Sequence, residues 1–267
     1  MDSILLNAPV YLLIFARCFA LLMTLPLFST RAVSRIAKIA FAGYMAFFML
    51  GTADLSLYKD YLGTDGAFSL YFVLLAAGEA GIGIIMGFYI TIIFAAFSTA
   101  GQFTAFQMGF SAASTYDAMA QVENPLMGQF FNFVAMLIFM QNQWFQRLFL
   151  GGLTASFKSL TAISIAGCQE TLITFMLRGL TKLFADALII ALPVMGTLLL
   201  ITICTGLLSK AAPQMNLLSE GFPIMILTAF FLIMLLLPSM SDFFLRSFAG
   251  GFKALEDLFA GIGKRFL

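Results

Sequence analysis

An all-α, polytopic membrane-type protein is the fold class this sequence predicts, and three observations predict it. The 267 residues are 61% hydrophobic and only 10% charged, where soluble domains carry about 25% charge. Mean hydropathy is +1.00. Two uncharged runs, 187–209 and 221–241, flank a polar, proline-bounded stretch, LSKAAPQMNLLSEGFP, at 208–223. Each run is about 20 residues, the length a helix needs to cross a hydrocarbon core of ~30 Å. Lipid offers backbone groups no partners, so spans of this kind are helical.

The elements follow in order. The first apolar segment covers about 4–28, interrupted by Arg17 and ended by Pro26 and Ser29-Thr30. It has no basic leader or small-residue cleavage site, so it reads as a retained helix rather than a signal peptide. After the basic residues Arg31, Arg35 and Lys38, a second segment covers about 39–51, and a polar loop follows at 52–66. The third segment, about 67–107, opens into a stretch, 80–116, that holds 37 residues without a charge. One straight helix of that length would measure about 55 Å, nearly twice a bilayer core. Its second half carries Ser98, Thr99, Gln102, Thr104 and Gln107. The chain is therefore expected either to bend near 98–101 or to lie outside lipid.

Residues 108–125 are small and polar and read as an ordered loop. A fourth helix is expected at 126–144. Residues 145–169 are ambiguous, with a break at Gly151-Gly152. A fifth helix is expected at 170–209, kinked at Pro193, and a sixth at 222–237. The tail, 241–267, sets Phe244, Phe248, Phe252, Leu255, Phe259, Ile262 and Phe266 at spacings of three and four. It reads as a separate amphipathic helix that docks on a partner or a membrane interface. All of this forms one domain, 1–267. The loop charges do not give a consistent orientation for six spans.

Composition also excludes functions. The absence of histidine removes His-ligated metals and Ser-His or Cys-His catalysis. Cys18, Cys168 and Cys204 are isolated in apolar contexts and read as core residues. A net charge of +1 carries no nucleic-acid footprint. No phosphate-binding Gly-x-x-x-x-Gly-Lys motif is present, and no metal or other cofactor is expected.

Several constellations remain. Gly83-xxx-Gly87 has a small-xxx-small spacing that lets helix backbones approach closely, within the chain or against another subunit. Glu79, beside it, is expected inside protein, in an ion pair, a helix-cap contact or a proton site. Arg178, Lys182 and Asp186 lie at i, i+4 and i+8, so Lys182 and Asp186 can pair. They read as a solvated helix end or, in a transporter, as part of an ion path. Tyr116-Asp117 matches half of an intramembrane aspartyl protease signature. The second carboxylate motif is absent, and one carboxylate cannot do paired acid–base work. Met108, Met119 and Met127 surround the 108–125 loop as core filler or as a deformable seal.

In family order, the strings over about 75–225 resemble the FliR family, the export-gate subunits of flagellar type III secretion. They are Glu79, Gly83 and Gly87 in GEAGIGIIMGF, Gly101-Gln102, and Gln107-Met108-Gly109. Asp117, Asn124-Pro125-Leu126 and Gly128-Gln129-Phe130 follow. The last are Ala211, Ala212, Pro213, Gln214, Met215 and Asn216, then Gly221-Phe222-Pro223. Two positions depart from the family pattern. Ala118 follows Asp117 where Pro is common, and Glu220 stands where a neutral residue is common.

The resemblance implies a non-enzymatic subunit of the bacterial inner membrane and flagellar basal body. One copy would join FliP- and FliQ-type proteins, with FlhB- and FlhA-type proteins nearby, in a helical cone around a channel for unfolded flagellar proteins. It implies that the helices stand largely out of the membrane plane. It also implies a plug at about 107–124, comprising Gln107, Met108, Gly109, Phe110, Ser111, Asp117, Met119 and Asn124. Glu79, Gly83, Gly87, Gly128 and Gln129 would pack helices or subunits. The alternatives are an injectisome homologue, which shares the Ala-Pro-Gln-Met-Asn string, and a small secondary transporter, for which no internal repeat is evident.

Overall fold

A computed structural model describes residues 2–29, 33–51, 70–109, 126–211 and 217–266, and among these every regular element is helical. The elements are α1 (Asp2–Thr24), α2 (Pro26–Ser29), α3 (Arg35–Met49), α4 (Leu70–Gln107) and α5 (Leu126–Gln141). A short turn, α6 (Trp144–Gln146), leads into a π-helical segment, Arg147–Leu153. Then come α7 (Thr154–Ser159), α8 (Ala162–Gly167), α9 (Gln169–Ala211) and α10 (Leu217–Phe266). Among the described residues, three helices are long and apolar enough to cross a membrane: Leu70–Gln107, Gln169–Ala211 and the Gly221–Ile262 part of α10.

The described chain forms two compact units, each assembled from discontinuous segments. The first comprises Met1–Ile92, Gln143–Gly179 and Ala249–Leu267. In it α1 buries Leu13, Ile14, Leu21 and Leu22, and α3 contributes Ala42 and Ala46. The Tyr11 hydroxyl donates to the Gly43 carbonyl at 3.1 Å, tying α1 to α3. Phe28, Phe41, Phe145 and Phe149 form a chain of ring contacts. The second unit comprises Ile93–Asn142 and Leu180–Phe248. Its centre is a cluster of five buried rings: Phe94, Phe97, Phe139, Phe244 and Phe248.

Several boundaries differ from the sequence expectation. Helix α3 starts at Arg35 rather than near 39, because the Ser34 hydroxyl accepts from the Ala37 N–H at 3.2 Å and caps the first turn. Helix α4 continues through 98–101. Its Thr104 hydroxyl is satisfied by the Ala100 carbonyl one turn back, at 3.0 Å, so uncharged polar residues need no bend. Gly151-Gly152 lies within the π-helical segment instead of breaking the chain there. Buried Leu148, Phe149 and Leu153 hold that segment in place.

The largest correction concerns the tail. It is no separate docking helix, because α10 runs unbroken from Leu217 to Phe266 with Pro223 and Pro238 inside it. Proline removes one ladder donor. The Ser241 hydroxyl donates to the Leu237 carbonyl at 2.8 Å just beyond Pro238. Burial on both units then outweighs the local break. Phe244 and Phe248 are buried in the second unit, and Phe252, Leu255, Phe259 and Ile262 in the first. Trp144 stacks on Phe252 with ring centroids 4.9 Å apart. The apolar stripe is thus filled by the chain itself. Cys204 is a smaller correction: it is exposed, whereas Cys18 and Cys168 are buried.

Candidate functional site

Three local arrangements hold the residues that the sequence singled out. The first is an ion pair in the first unit. Arg17 is the one charge in α1 after Asp2, and Glu79 is the one charge in α4. Arg17 Nε donates to Glu79 Oε2 at 2.6 Å, and both side chains are fully buried. Arg17 Nη1 donates to Ser156 Oγ at 3.0 Å, and Nη2 donates to the Leu160 carbonyl at 2.8 Å. The guanidinium carbon lies 4.1 Å from the centre of the Phe157 ring. One arginine therefore joins α1, α4 and α7. Sequence reasoning placed Glu79 inside protein but treated Arg17 as a mere interruption and did not select Ser156.

Packing explains why the pair can form. Gly83 and Gly87 are buried and face α1. A Cβ on Gly83 would overlap the Arg17 carbonyl, and one on Gly87 would overlap the Thr24 hydroxyl. One turn further, Thr91 Oγ1 donates to the Thr24 carbonyl at 2.8 Å. The close approach thus serves helices of this chain, and it brings Arg17 within reach of Glu79.

The second arrangement lies in the second unit. Lys182 Nζ and Ser247 Oγ both donate to Asp186 Oδ2, each at 2.6 Å. The pairing expected within Arg178, Lys182 and Asp186 is present. It sits well inside α9, with Asp186 only 7% exposed, so it is not a solvated helix end. Lys182 is half exposed, so its i,i+4 pair contributes about 0.3–0.5 kcal/mol. The buried serine bond to a carboxylate is worth about 1.5–3 kcal/mol. Ser247→Ala is therefore expected to lower stability more than Lys182→Ala. Thermal midpoints of the two variants measured side by side check this ordering.

The third arrangement joins distant sequence motifs within the second unit. A Cβ on Gly101 would lie 2.6 Å from the Met127 carbonyl carbon and 2.7 Å from Gly128 Cα. A Cβ on Gly128 would lie 2.9 Å from the Ser98 carbonyl oxygen. Helices α4 and α5 thus meet backbone to backbone, while Gln129 faces outward. At the end of α4, Met108 is fully buried and Gly109 takes φ +83°. The Phe222 ring lies against Gly109, where any Cβ would overlap Cε1 of the ring. Gly221 is buried beside it, and Ala211 is exposed at the end of α9. Phe110, Ser111, Asp117, Met119 and Asn124 lie outside the described residues, as do Ala212, Pro213, Gln214, Met215 and Asn216.

In sequence, residues 8–251 match the family described as bacterial export proteins, family 1. The chain is similar to the flagellar biosynthetic protein FliR of Bacillus subtilis (strain 168), with 32% identity over 87% of this chain and 88% of that protein. It is similar to FliR of Escherichia coli (strain K12), with 27% identity over 91% of this chain and 89% of that one. It is also similar to the surface presentation of antigens protein SpaR of Shigella flexneri, with 27% identity over 92% of each.

Proposed function

The chain belongs to bacterial export proteins, family 1, the family of the FliR proteins, and from that premise we propose that it is a membrane subunit of the flagellar type III protein export gate. In this reading it assembles with FliP- and FliQ-type proteins, and with FlhB- and FlhA-type proteins, at the inner-membrane base of the flagellum. It forms part of a channel for unfolded flagellar proteins and performs no catalysis. The observation that carries the reading is the family match over nearly the whole chain.

The helices support it. At 1.5 Å per residue, α4, α9 and α10 extend about 57, 65 and 75 Å, well beyond a hydrocarbon core of ~30 Å. Simple perpendicular spanning does not account for such lengths. Helix α9 also presents Leu177, Phe184, Leu188, Leu192, Leu199 and Ile203 as an exposed apolar stripe. Surfaces of that size call for lipid or partner helices. The chain expressed alone is accordingly expected to aggregate. Co-expressed with its partner proteins, it should appear in one defined complex by native mass spectrometry. A monodisperse lone monomer in detergent would overturn the assembly reading. The injectisome alternative rests on the SpaR likeness, and export of flagellar against virulence substrates separates the two.

The segment 107–124 acts in this reading as the channel plug. Its sequence is rich in small residues: Gly109, Ser111, Ala112, Ala113, Ser114 and Thr115. Met108, Phe110 and Met119 provide apolar bulk that excludes water and ions at a constriction. Deleting 109–120 is expected to leave the complex assembled but permeable to small ions. An assembled deletion complex as tight as the intact one would sink the plug reading.

A further inference from the structure

Between Gly221 and Ser241, α10 carries no charged residue and is covered only on one side by its own chain. Of the three helices long and apolar enough to span, its apolar stretch is the least enclosed: 11% of it is buried, against 28% in α9 and 61% in α4. The exposed side chains fall in register. Ile224, Leu227, Phe231 and Met234 recur at spacings of three and four and so share one face, which Phe230 and Leu235 widen. Phe231 is 66% exposed and Met234 79%. The small residues behave in the opposite way: Gly221 and Ala229 are both buried. The side towards α9 is closed by the chain itself, where Thr202 Oγ1 donates to Met225 Sδ at 3.5 Å.

This segregation decides between two occupants. Helices that pack on one another in a membrane place small residues at the contact, so that their backbones approach closely. Every exposed position from Ile224 to Leu235 is instead Ile, Leu, Phe or Met, the side chains that suit lipid tails. Length and charge point the same way. The uncharged part, 221–241, measures about 32 Å at 1.5 Å per residue, against a hydrocarbon core of ~30 Å. Charge returns at once on either side of it. Glu220 precedes Gly221 in the sequence, and Asp242 and Arg246, both exposed, follow Ser241. A charged side chain within hydrocarbon is costly, so these residues bound what lipid can cover. We propose that the face of α10 formed by Ile224, Leu227, Phe231 and Met234 is covered by the acyl chains of the bilayer, with Asp242 and Arg246 at headgroup level. Helix α10 then lies in the hydrocarbon core over 221–241 alone, and the rest of its length stands clear of it. The inference rests on the membrane-subunit reading above and goes beyond it by assigning lipid, rather than a partner helix, to this face.

The experiment uses the full chain, co-expressed with its partner proteins, in native membranes. The photoreactive residue benzoylphenylalanine replaces Phe231 in one variant and Met234 in another, both exposed sites where a bulky ring meets nothing of the chain's own core. Irradiation is expected to give phospholipid adducts on this chain, seen by intact mass, and no crosslink to another protein. Depth is read with a membrane-impermeant maleimide in a Cys204→Ser background, since Cys204 is exposed while Cys18 and Cys168 are buried. Asp242→Cys is expected to be labelled and Phe231→Cys to lose labelling. A crosslink from position 231 or 234 to another protein of the complex would make this face a subunit interface and overturn the lipid assignment, leaving the gate reading intact. Labelling of Phe231→Cys equal to that of Asp242→Cys would place the face in water and overturn it as well. Co-isolation of partner proteins with the unsubstituted chain tests the gate reading separately: lipid adducts without co-isolated partners would keep the lipid face and reject the gate.

Discussion

Arg17→Met with Glu79 left in place is expected to destabilise the first unit by about 3–5 kcal/mol, because it removes the cationic partner of a buried carboxylate. The geometry makes this a stringent case. Both side chains are fully buried, and the guanidinium satisfies Glu79, Ser156 and the Leu160 carbonyl together. Removing the cation leaves those three acceptors without it. Glu79→Leu strands the cation in the same way, with less left unmet, since two of the arginine's acceptors remain. The double variant Arg17→Met with Glu79→Leu removes both charges and is expected to recover much of the loss, because replacing a whole buried ion pair by apolar side chains is often near neutral. Protease half-life and thermal midpoint of the solubilised, co-expressed complex measure the series. A double variant no better than the worse single one would show that a stranded charge is not the source of the loss and that the lost shape and hydrogen bonds are. A proton-carrying role for Glu79 makes a different prediction: Glu79→Gln would abolish export while leaving stability intact.

The same pair shows what the sequence disclosed and what it withheld. Hydropathy and the scarcity of charge made the all-α membrane class legible, because a chain so apolar has few other ways to satisfy its backbone. Glu79 was legible as a residue enclosed by protein for the same reason. Its partner could have been read too. Arg17 and Glu79 are opposite charges, each alone in a long apolar helix apart from Asp2 at the chain start, and such charges pair where they can. Ser156 and Leu160 were not readable, since they reach Arg17 only through the π-helical turn before α7. The phenylalanine stripe of the tail gave the helix and its apolar face correctly. Periodicity reveals that a face is buried but not what buries it, and here the answer is Phe94, Phe97, Phe139 and Trp144 of the same chain. The sixth helix, expected to end at 237, runs on through Pro238 because that burial outweighs the local breaker.

Gly101→Leu is expected to have the second large effect, by separating α4 from α5. At this crossing the obstacle is backbone rather than a flexible side chain: a Cβ on Gly101 would meet the carbonyl carbon of Met127 at 2.6 Å and Cα of Gly128 at 2.7 Å. A side-chain tip can rotate away from an intruding atom, whereas a helix backbone must move as a body. Gly101→Ala is therefore expected to cost about 1–3 kcal/mol, the range for overpacking a well-filled core, and Gly101→Leu more than that. Gly83→Ala belongs to the same class, since it would strike the Arg17 backbone and loosen the ion pair beside it. Gly81 supplies the opposite result. Nothing in the chain lies within 4 Å of where its Cβ would stand, so Gly81→Ala is expected to stabilise α4 by about 0.5–1 kcal/mol through helix propensity alone. Two glycines of one short motif, Gly81 and Gly83, thus differ in sign although their spacing in the sequence does not distinguish them. Thermal midpoints of the three alanine variants decide the matter. Equal shifts at Gly81, Gly83 and Gly101 would mean that helix propensity, and not the approach of backbones, governs all three.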